Sequence, residues 1–281
     1  MKATTIAPTA GKRDGKEDPR EKEDCRRFYF GVIDCASTAF DEAEALPLLD
    51  GAERERLARY SRGARGREYL AGRLMAKRIA SRLLGIEAER VAISVGGEGK
   101  PALPEGLELG IAHSRGLVLC AVAPYPPGGR SREGLGIDIE KLRPREGLEA
   151  IAAFAFSENE RGAAPDDMES FYILWTLKEA WLKRLGAGLG ALASAPAFEL
   201  GPEGRLRVRR GDAGGEEDCE CLCLGFGSIG ADARPAYVAA AALGRSDPED
   251  EVVFDDRFAP PPELAVRTLF SSARAARLSA R

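Results

Sequence analysis

The residues of this 281-residue sequence best suited to chemistry are carboxylates set among apolar neighbours. In LGIDIEKL, residues 135–142, successive side chains of an extended strand point to opposite faces, so Ile137 and Ile139 share one face and Asp138 and Glu140 the other. A half-buried strand with its polar face in water accounts for the same alternation, and the pattern alone does not separate the two readings. In FYILWTLKEAWLKRLGAGL, residues 171–189, Glu179 and Lys183 stand four apart and become neighbours on one face of a helix. On an exposed helix such a pair contributes only about 0.3–0.5 kcal/mol. Trp175, Leu177, Trp181, Leu182 and Leu185 flank it, an apolar density that suits a helix enclosed by protein, where charges need partners. Asp138, Glu140 and Glu179 would together offer three oxygen ligands from two rigid elements, a set suited to Mg²⁺. Because Mg²⁺ seldom occupies an all-protein cage, this reading expects a phosphorylated ligand to complete its shell.

An attraction for such a ligand lies upstream. Between residues 53 and 82, ten Arg and Lys stand against three Glu, in a chain whose net charge is −4. Arg and Lys offer donors to phosphate oxygens. A basic helix also suits a nucleic-acid backbone, but no aromatic platform or recognised motif accompanies these arginines. The Gly-rich pieces GGEGK and GAGLG lack the GxxxxGK[ST] spacing, which argues against an ordinary nucleoside-triphosphate cradle. There is one histidine, His113, so a mechanism needing a histidine pair within the chain is excluded.

These residues require a scaffold. Residues 1–24 are polar and mixed in charge and read as a disordered tail. FYFGVIDCAS (28–37) reads as a first strand, and helical patterns cover 41–60 and 67–85, the latter ending at Gly85 as a C-cap. Strands around 91–103, 107–114 and 116–124 follow, and PYPPGGRSREG (124–134) is the best internal boundary. After LGIDIEKL come helical patterns near 147–163 and 167–185, then three more strands. The order favours an α+β fold, with halves at 25–130 and 131–244, over a doubly wound sheet. Residues 245–281 begin acidic, pass through APPPE and end basic, which reads as a disordered or peripheral extension.

Hydrophobic residues make up 44% of the sequence and charged ones 31%, as in a soluble globular protein. No apolar run approaches the roughly 18 residues of a membrane span, and the start lacks the apolar core of a secretory signal. The six cysteines show neither CxxC pairs nor zinc spacing, and the alternation in CECLC places Cys219, Cys221 and Cys223 on one face as small buried hydrophobes. A reduced, cytoplasmic setting is expected.

GKPAL (99–103), IAHS (111–114), GIDIEKLRP (136–144), FSENE (156–160) and WTLKEAWLKRLGAGL (175–189) together resemble the signature blocks of the 4′-phosphopantetheinyl transferases, in the broad-specificity surfactin-synthetase-activating form. The resemblance runs from about residue 28 to 243. It implies a monomer built as a pseudo-dimer of two α+β halves, with coenzyme A as substrate in the cleft between them. The activity it implies is transfer of the phosphopantetheine arm to a serine of an apo acyl or peptidyl carrier protein, releasing adenosine 3′,5′-bisphosphate. It carries the Mg²⁺ ligands onto Asp138, Glu140 and Glu179, and phosphate contact and leaving-group assistance onto Lys183. Coenzyme A contacts fall on Lys100, Pro101, His113 and Asp138, with Arg62 and Arg67 as phosphate binders and Arg54 or Arg56 as substitutes. Glu179, Glu160 or metal-bound water would serve as general base. Neither nucleic acid nor membrane is an implied partner. Ala112 departs from the usual serine and removes one hydroxyl from the cofactor's surroundings. An inactive module that holds coenzyme A or a carrier protein is the alternative reading.

Overall fold

A computed structural model describes residues 26–37, 40–60, 63–96, 99–104, 106–125, 134–163, 167–210, 215–216, 219–227, 235–244, 250–261, 264, 266–272 and 277–279. The expected tail at 1–24 lies outside the described residues. The first half contains β1 (Arg27–Asp34), α1 (Glu42–Ala45), α2 (Gly51–Arg59) and the long α3 (Ala64–Leu84). It continues with short β2 (Ser94–Val95) and β3 (Pro101–Ala102), then β4 (Leu107–Ser114) and β5 (Leu117–Pro124). The second half contains β6 (Gly136–Lys141), α4 (Leu148–Ala155), α5 (Glu158–Ala163) and α6 (Met168–Leu185). A small sheet of β7 (Ala197–Leu200), β8 (Leu206–Arg210) and β9 (Gly215–Glu216) precedes β10 (Cys221–Phe226) and β11 (Tyr237–Ala242). β12 (Glu251–Phe254), β13 (Val266–Ser271) and β14 (Arg277–Ser279) follow.

The two halves repeat one topology, which is the α+β arrangement the element order predicts. In the first, β1 pairs antiparallel with β5, and β5 with β4. In the second, β6 pairs antiparallel with β11, and β11 with β10. In each half the long helix separates the first strand from the other two, and the last strand lies central among the three. Alternation sorts the side chains. Phe28, Phe30, Leu119, Ile137, Ile139, Leu224 and Ala241 fill a layer between the two sheets. The opposite faces pack on helices: Val118, Cys120 and Val122 with Leu74, Met75 and Ile79 of α3, and Cys221, Cys223, Val238 and Ala240 with Leu174, Leu177 and Trp181 of α6. Each fully buried large side chain contributes about 1.5–3 kcal/mol through its lost contact with water. Cys219, Cys221 and Cys223 are thus buried apolar fillers, as the CECLC alternation predicts.

Both long helices end on a left-handed glycine, Gly85 at φ +65° and Gly186 at φ +68°, where a side chain would be strained. Eight residues before each cap is a buried lysine. Lys77 Nζ lies 3.0 Å from Glu53 Oε2 and donates to the Val91 carbonyl, while Lys178 Nζ lies 3.0 Å from Glu160 Oε2 and donates to the Pro196 carbonyl. Each glutamate also closes a reciprocal cap on a short helix, Asp50 with Glu53 at α2 and Ser157 with Glu160 at α5. The duplication is therefore present in side chains as well as in topology.

The expectation of a disordered or peripheral run after residue 244 does not hold for its described residues. β12 adds to β1 in parallel, β14 adds to β12, and β13 adds antiparallel to β10, so the segment extends both sheets. Val252 is buried in the inter-sheet layer, Phe258 packs on the α3 face, and Phe254 meets Phe30 and Phe226 edge to face. Its acidic composition masked this. Asp255 is buried because Arg82 reaches it at 2.6 Å, and the strand EVVF is too short to show a period.

Candidate active site

β6 approaches α6 more closely than any side chain would permit: a Cβ on Gly136 would stand 2.0 Å from the Ala180 carbonyl oxygen and 2.3 Å from the Arg184 nitrogen. Glycine at 136 therefore lets the strand lie against the helix backbone. Because Ile137 and Ile139 fill the inter-sheet layer, Asp138 and Glu140 are turned to the α6 side, where Glu179 and Lys183 lie one turn apart. Lys183 Nζ donates to Asp138 Oδ1 at 2.5 Å, and Asp138 is 6% exposed. Its second oxygen, Oδ2, is buried without a hydrogen-bond partner. Glu140 receives the Ser114 hydroxyl from β4 at 2.9 Å.

Burial pushes the Asp138 carboxyl up to about 6 against the opposing pull of Lys183, and the nearby Glu179 adds to the rise. Burial likewise raises Glu140, with Ser114 opposing and Asp138 reinforcing, and it raises Glu179, with Lys183 opposing and Glu140 reinforcing. Burial works against the Lys183 cation, but the surrounding carboxylates, Asp138 foremost, raise its pKa overall. Carboxyl groups that penalise one another in this way favour a cation among them. Among the described residues no three His, Cys, Asp or Glu close into a metal cage. The orphaned Asp138 Oδ2 and the acidic neighbours fit the oxygen-ligand preference of a hard divalent cation.

A cleft of about 300 Å³ opens beside these groups, lined from one half by Lys100, Pro101 and Gly110 and from the other by Gly136, Lys183 and Gly186. Next to it lies a basic pocket of about 370 Å³ with Arg56, Arg65, Arg73, Tyr60, Tyr69 and His113 on its walls. Gly99, Pro101 and Ile111 belong to both, so the two form one groove from the basic pocket to Lys183.

Family models match both halves: the 4′-phosphopantetheinyl transferase N-terminal domain over residues 53–123 and the 4′-phosphopantetheinyl transferase superfamily over residues 134–238. A 4′-phosphopantetheinyl transferase of Bacillus subtilis is 27% identical over 200 residues, covering 69% of this chain and 84% of its own. The transferase Sfp of Bacillus subtilis strain 168 is 27% identical over 66% of this chain and 82% of its own, and AcpT of Salmonella typhimurium is 31% identical over 49% and 68%. The chain belongs to the 4′-phosphopantetheinyl transferase superfamily. It is an enzyme of that class, of the Sfp-like type.

In this transferase the expected residues divide into three groups. Asp138, Glu140, Glu179 and Lys183 interact with one another, and Lys100, Pro101 and His113 line the groove. Arg67 does not line the basic pocket: its guanidinium lies over Phe40 and 3.4 Å from Glu42, and Arg56 and Arg65 are on the wall instead. Arg54 donates to the Leu49 carbonyl, and Arg62 lies outside the described residues. Lys100 reaches across the cleft, donating to the carbonyls of Leu135 and Arg184, and burial lowers its pKa. The Arg184 carbonyl belongs to the last turn of α6, where the helix dipole favours a cation. Glu160 lines neither pocket; it is 1% exposed, paired with Lys178 and accepting the Phe198 N–H. Ala112 is buried in the inter-sheet layer and lines neither pocket.

Three groups escaped the reading of the sequence. Ser114, Glu68 and Arg65 are common residue types whose places depend on contacts between elements. Glu68 stands 3.1 Å from His113 Nδ1 and accepts the Gly116 N–H. Only the SxxE spacing of FSENE, repeated as DGAE at 50–53, carried a usable signal, and it marks the buried Lys–Glu scaffold.

No helix among the described residues is long and apolar enough to cross a membrane.

Proposed function

We propose that the enzyme transfers the 4′-phosphopantetheine arm of coenzyme A to a serine hydroxyl of an apo carrier protein, with Mg²⁺, and releases adenosine 3′,5′-bisphosphate. The observation that carries this reading is the groove from a basic pocket to Lys183, which is hydrogen-bonded to buried Asp138 in a cluster of carboxylates, at the seam between the halves. A ligand with phosphate at one end and a pyrophosphate along its length matches that order of charges. Arg56, Arg65 and His113 would receive the outer phosphate, Lys100 and Pro101 would border the nucleotide, and Lys183 would meet the pyrophosphate.

Asp138, Glu140 and Glu179 would hold Mg²⁺, which when bound supplies charge stabilisation on the transferring phosphoryl oxygens. Glu179 would also take the proton of the carrier serine, a poor nucleophile at its free pKa. The serine oxygen bonds to the phosphorus of the arm as the bridging P–O bond to the nucleotide breaks. Lys183, charged and with one donor committed to Asp138, keeps two donors for the departing phosphate.

The test is to incubate the protein with coenzyme A, Mg²⁺ and an apo carrier protein and to weigh the carrier. A gain of one phosphopantetheine and a stoichiometric appearance of adenosine 3′,5′-bisphosphate, both abolished by chelation, are expected. Coenzyme A binding without mass gain on acyl and peptidyl carriers alike would overturn the reading in favour of a binding module.

A further inference from the structure

β4 and β5 are joined by a two-residue turn, Arg115–Gly116, with φ +51° and +90°, the left-handed pair typical of a tight hairpin. The turn is held from α3: Glu68, 6% exposed, accepts the Gly116 N–H at 2.8 Å through Oε1 and faces His113 Nδ1 through Oε2. On its other side Ser114, 9% exposed, donates its hydroxyl to Glu140 Oε2 at 2.9 Å and accepts the Lys141 N–H at 3.1 Å. This short segment of the first half thus meets the basic pocket through His113 and the carboxylate cluster through Ser114.

We propose that Ser114 is a positioning residue for Glu140: its hydroxyl fixes one carboxylate oxygen from across the seam and leaves the other aimed at the cation the site would hold. This rests on the reading of Asp138, Glu140 and Glu179 as cation ligands. A carboxylate on the solvent-side end of a strand has several rotamers of similar energy, and a hydroxyl held by both Glu140 and the Lys141 N–H selects among them. Outer partners of metal ligands commonly contribute a factor of about 10 to 100 in metal affinity. The arrangement makes the cation site depend on both halves, although all three ligand carboxylates come from the second.

The test measures binding of Mn²⁺ as a stand-in for Mg²⁺, at saturating coenzyme A, from the loss of the free-ion electron paramagnetic resonance signal. Ser114→Ala is expected to weaken Mn²⁺ about tenfold, with coenzyme A affinity in the absence of metal unchanged. Ser114→Thr, which keeps the hydroxyl, should stay within about twofold of the wild type. Should Ser114→Ala not fold, Ser114→Cys keeps the volume, weakens the donor and is judged by the same tenfold criterion. Wild-type Mn²⁺ affinity in Ser114→Ala or Ser114→Cys overturns the inference alone. If the wild-type protein binds coenzyme A but no Mn²⁺, the cation-site reading fails and this inference with it.

Discussion

β1 and β6 hold the same place in their halves, yet they present different chemistry to their helices. β1 turns Tyr29, Gly31 and Ile33 toward α3, with Cys35 just beyond its end and no carboxylate among them, whereas β6 turns Gly136, Asp138 and Glu140 toward α6. Counting back from the capping glycines, Arg78 corresponds to Glu179 and Arg82 to Lys183, while Lys77 corresponds to Lys178. The buried Lys–Glu pair is common to both halves, and the carboxylate cluster belongs to one. What is shared is scaffold; what differs is chemistry. Lys178 and Glu160 lie beside Glu179 in sequence or in the family's blocks, but their counterparts Lys77 and Glu53 do the same structural work in a half without the acidic cluster.

Activity should separate the two halves most widely. Glu179→Gln should lower transfer by about 10²–10⁴-fold, the range for loss of a general base, while Arg78→Gln, its counterpart, should leave carrier loading within about twofold. Equal losses in a loading assay would end the assignment of the chemistry to one half. The next largest effect concerns the scaffold. Lys178→Met takes the cation from buried Glu160 and should cost about 3–5 kcal/mol in urea unfolding, and Lys77→Met should cost less, because Arg73 stays 3.1 Å from Glu53; a Lys178 variant of normal stability that cannot load carrier would make it part of the site.

A smaller effect follows from Asp138. Burial holds its proton up to about pH 6, whereas an unfolded aspartate releases it near 3.8. Between those values the native state binds the extra proton, so metal-free stability should fall as pH rises through the window. The loss should total about 2–3 kcal/mol, at roughly 1.4 kcal/mol for each pH unit crossed. Asp138→Asn should flatten this component, and unfolding measured from pH 4 to 7 checks it; Ile33 gives the first half no matching slope. Smallest are the caps: Asp50→Ala and Ser157→Ala should each cost about 1 kcal/mol by thermal melting.

Much of this was legible in the residues. The alternation in LGIDIEKL separated the two isoleucines from the two carboxylates, and α6 was marked by its apolar flanks, its i, i+4 pair and its glycine. The identity of the family came from the joint spacing of several blocks, which no single strand or helix carries. The sequence could not disclose which arginines line the basic pocket, since Arg67 and Arg65 differ by half a turn on a helix whose exposed sides look alike in charge. Glu160 was ambiguous for a related reason: a capping glutamate and a base have one residue type, and only the approach of Lys178 and the Phe198 N–H separates them. The strands after residue 244 were hidden because pairing with distant edges leaves no local period.

The partnership of β1 with β12 joins Arg27 to Glu251, 224 residues apart. At synthesis rates of about 5–20 residues per second, β1 would wait roughly 10–45 s for its outer neighbour. During that interval its open edge, and later that of β10, would be available to a second chain. Shortening the protein after residue 244 would make that exposure permanent, so truncated forms should be lost to aggregation during expression before any fault in the active site is felt.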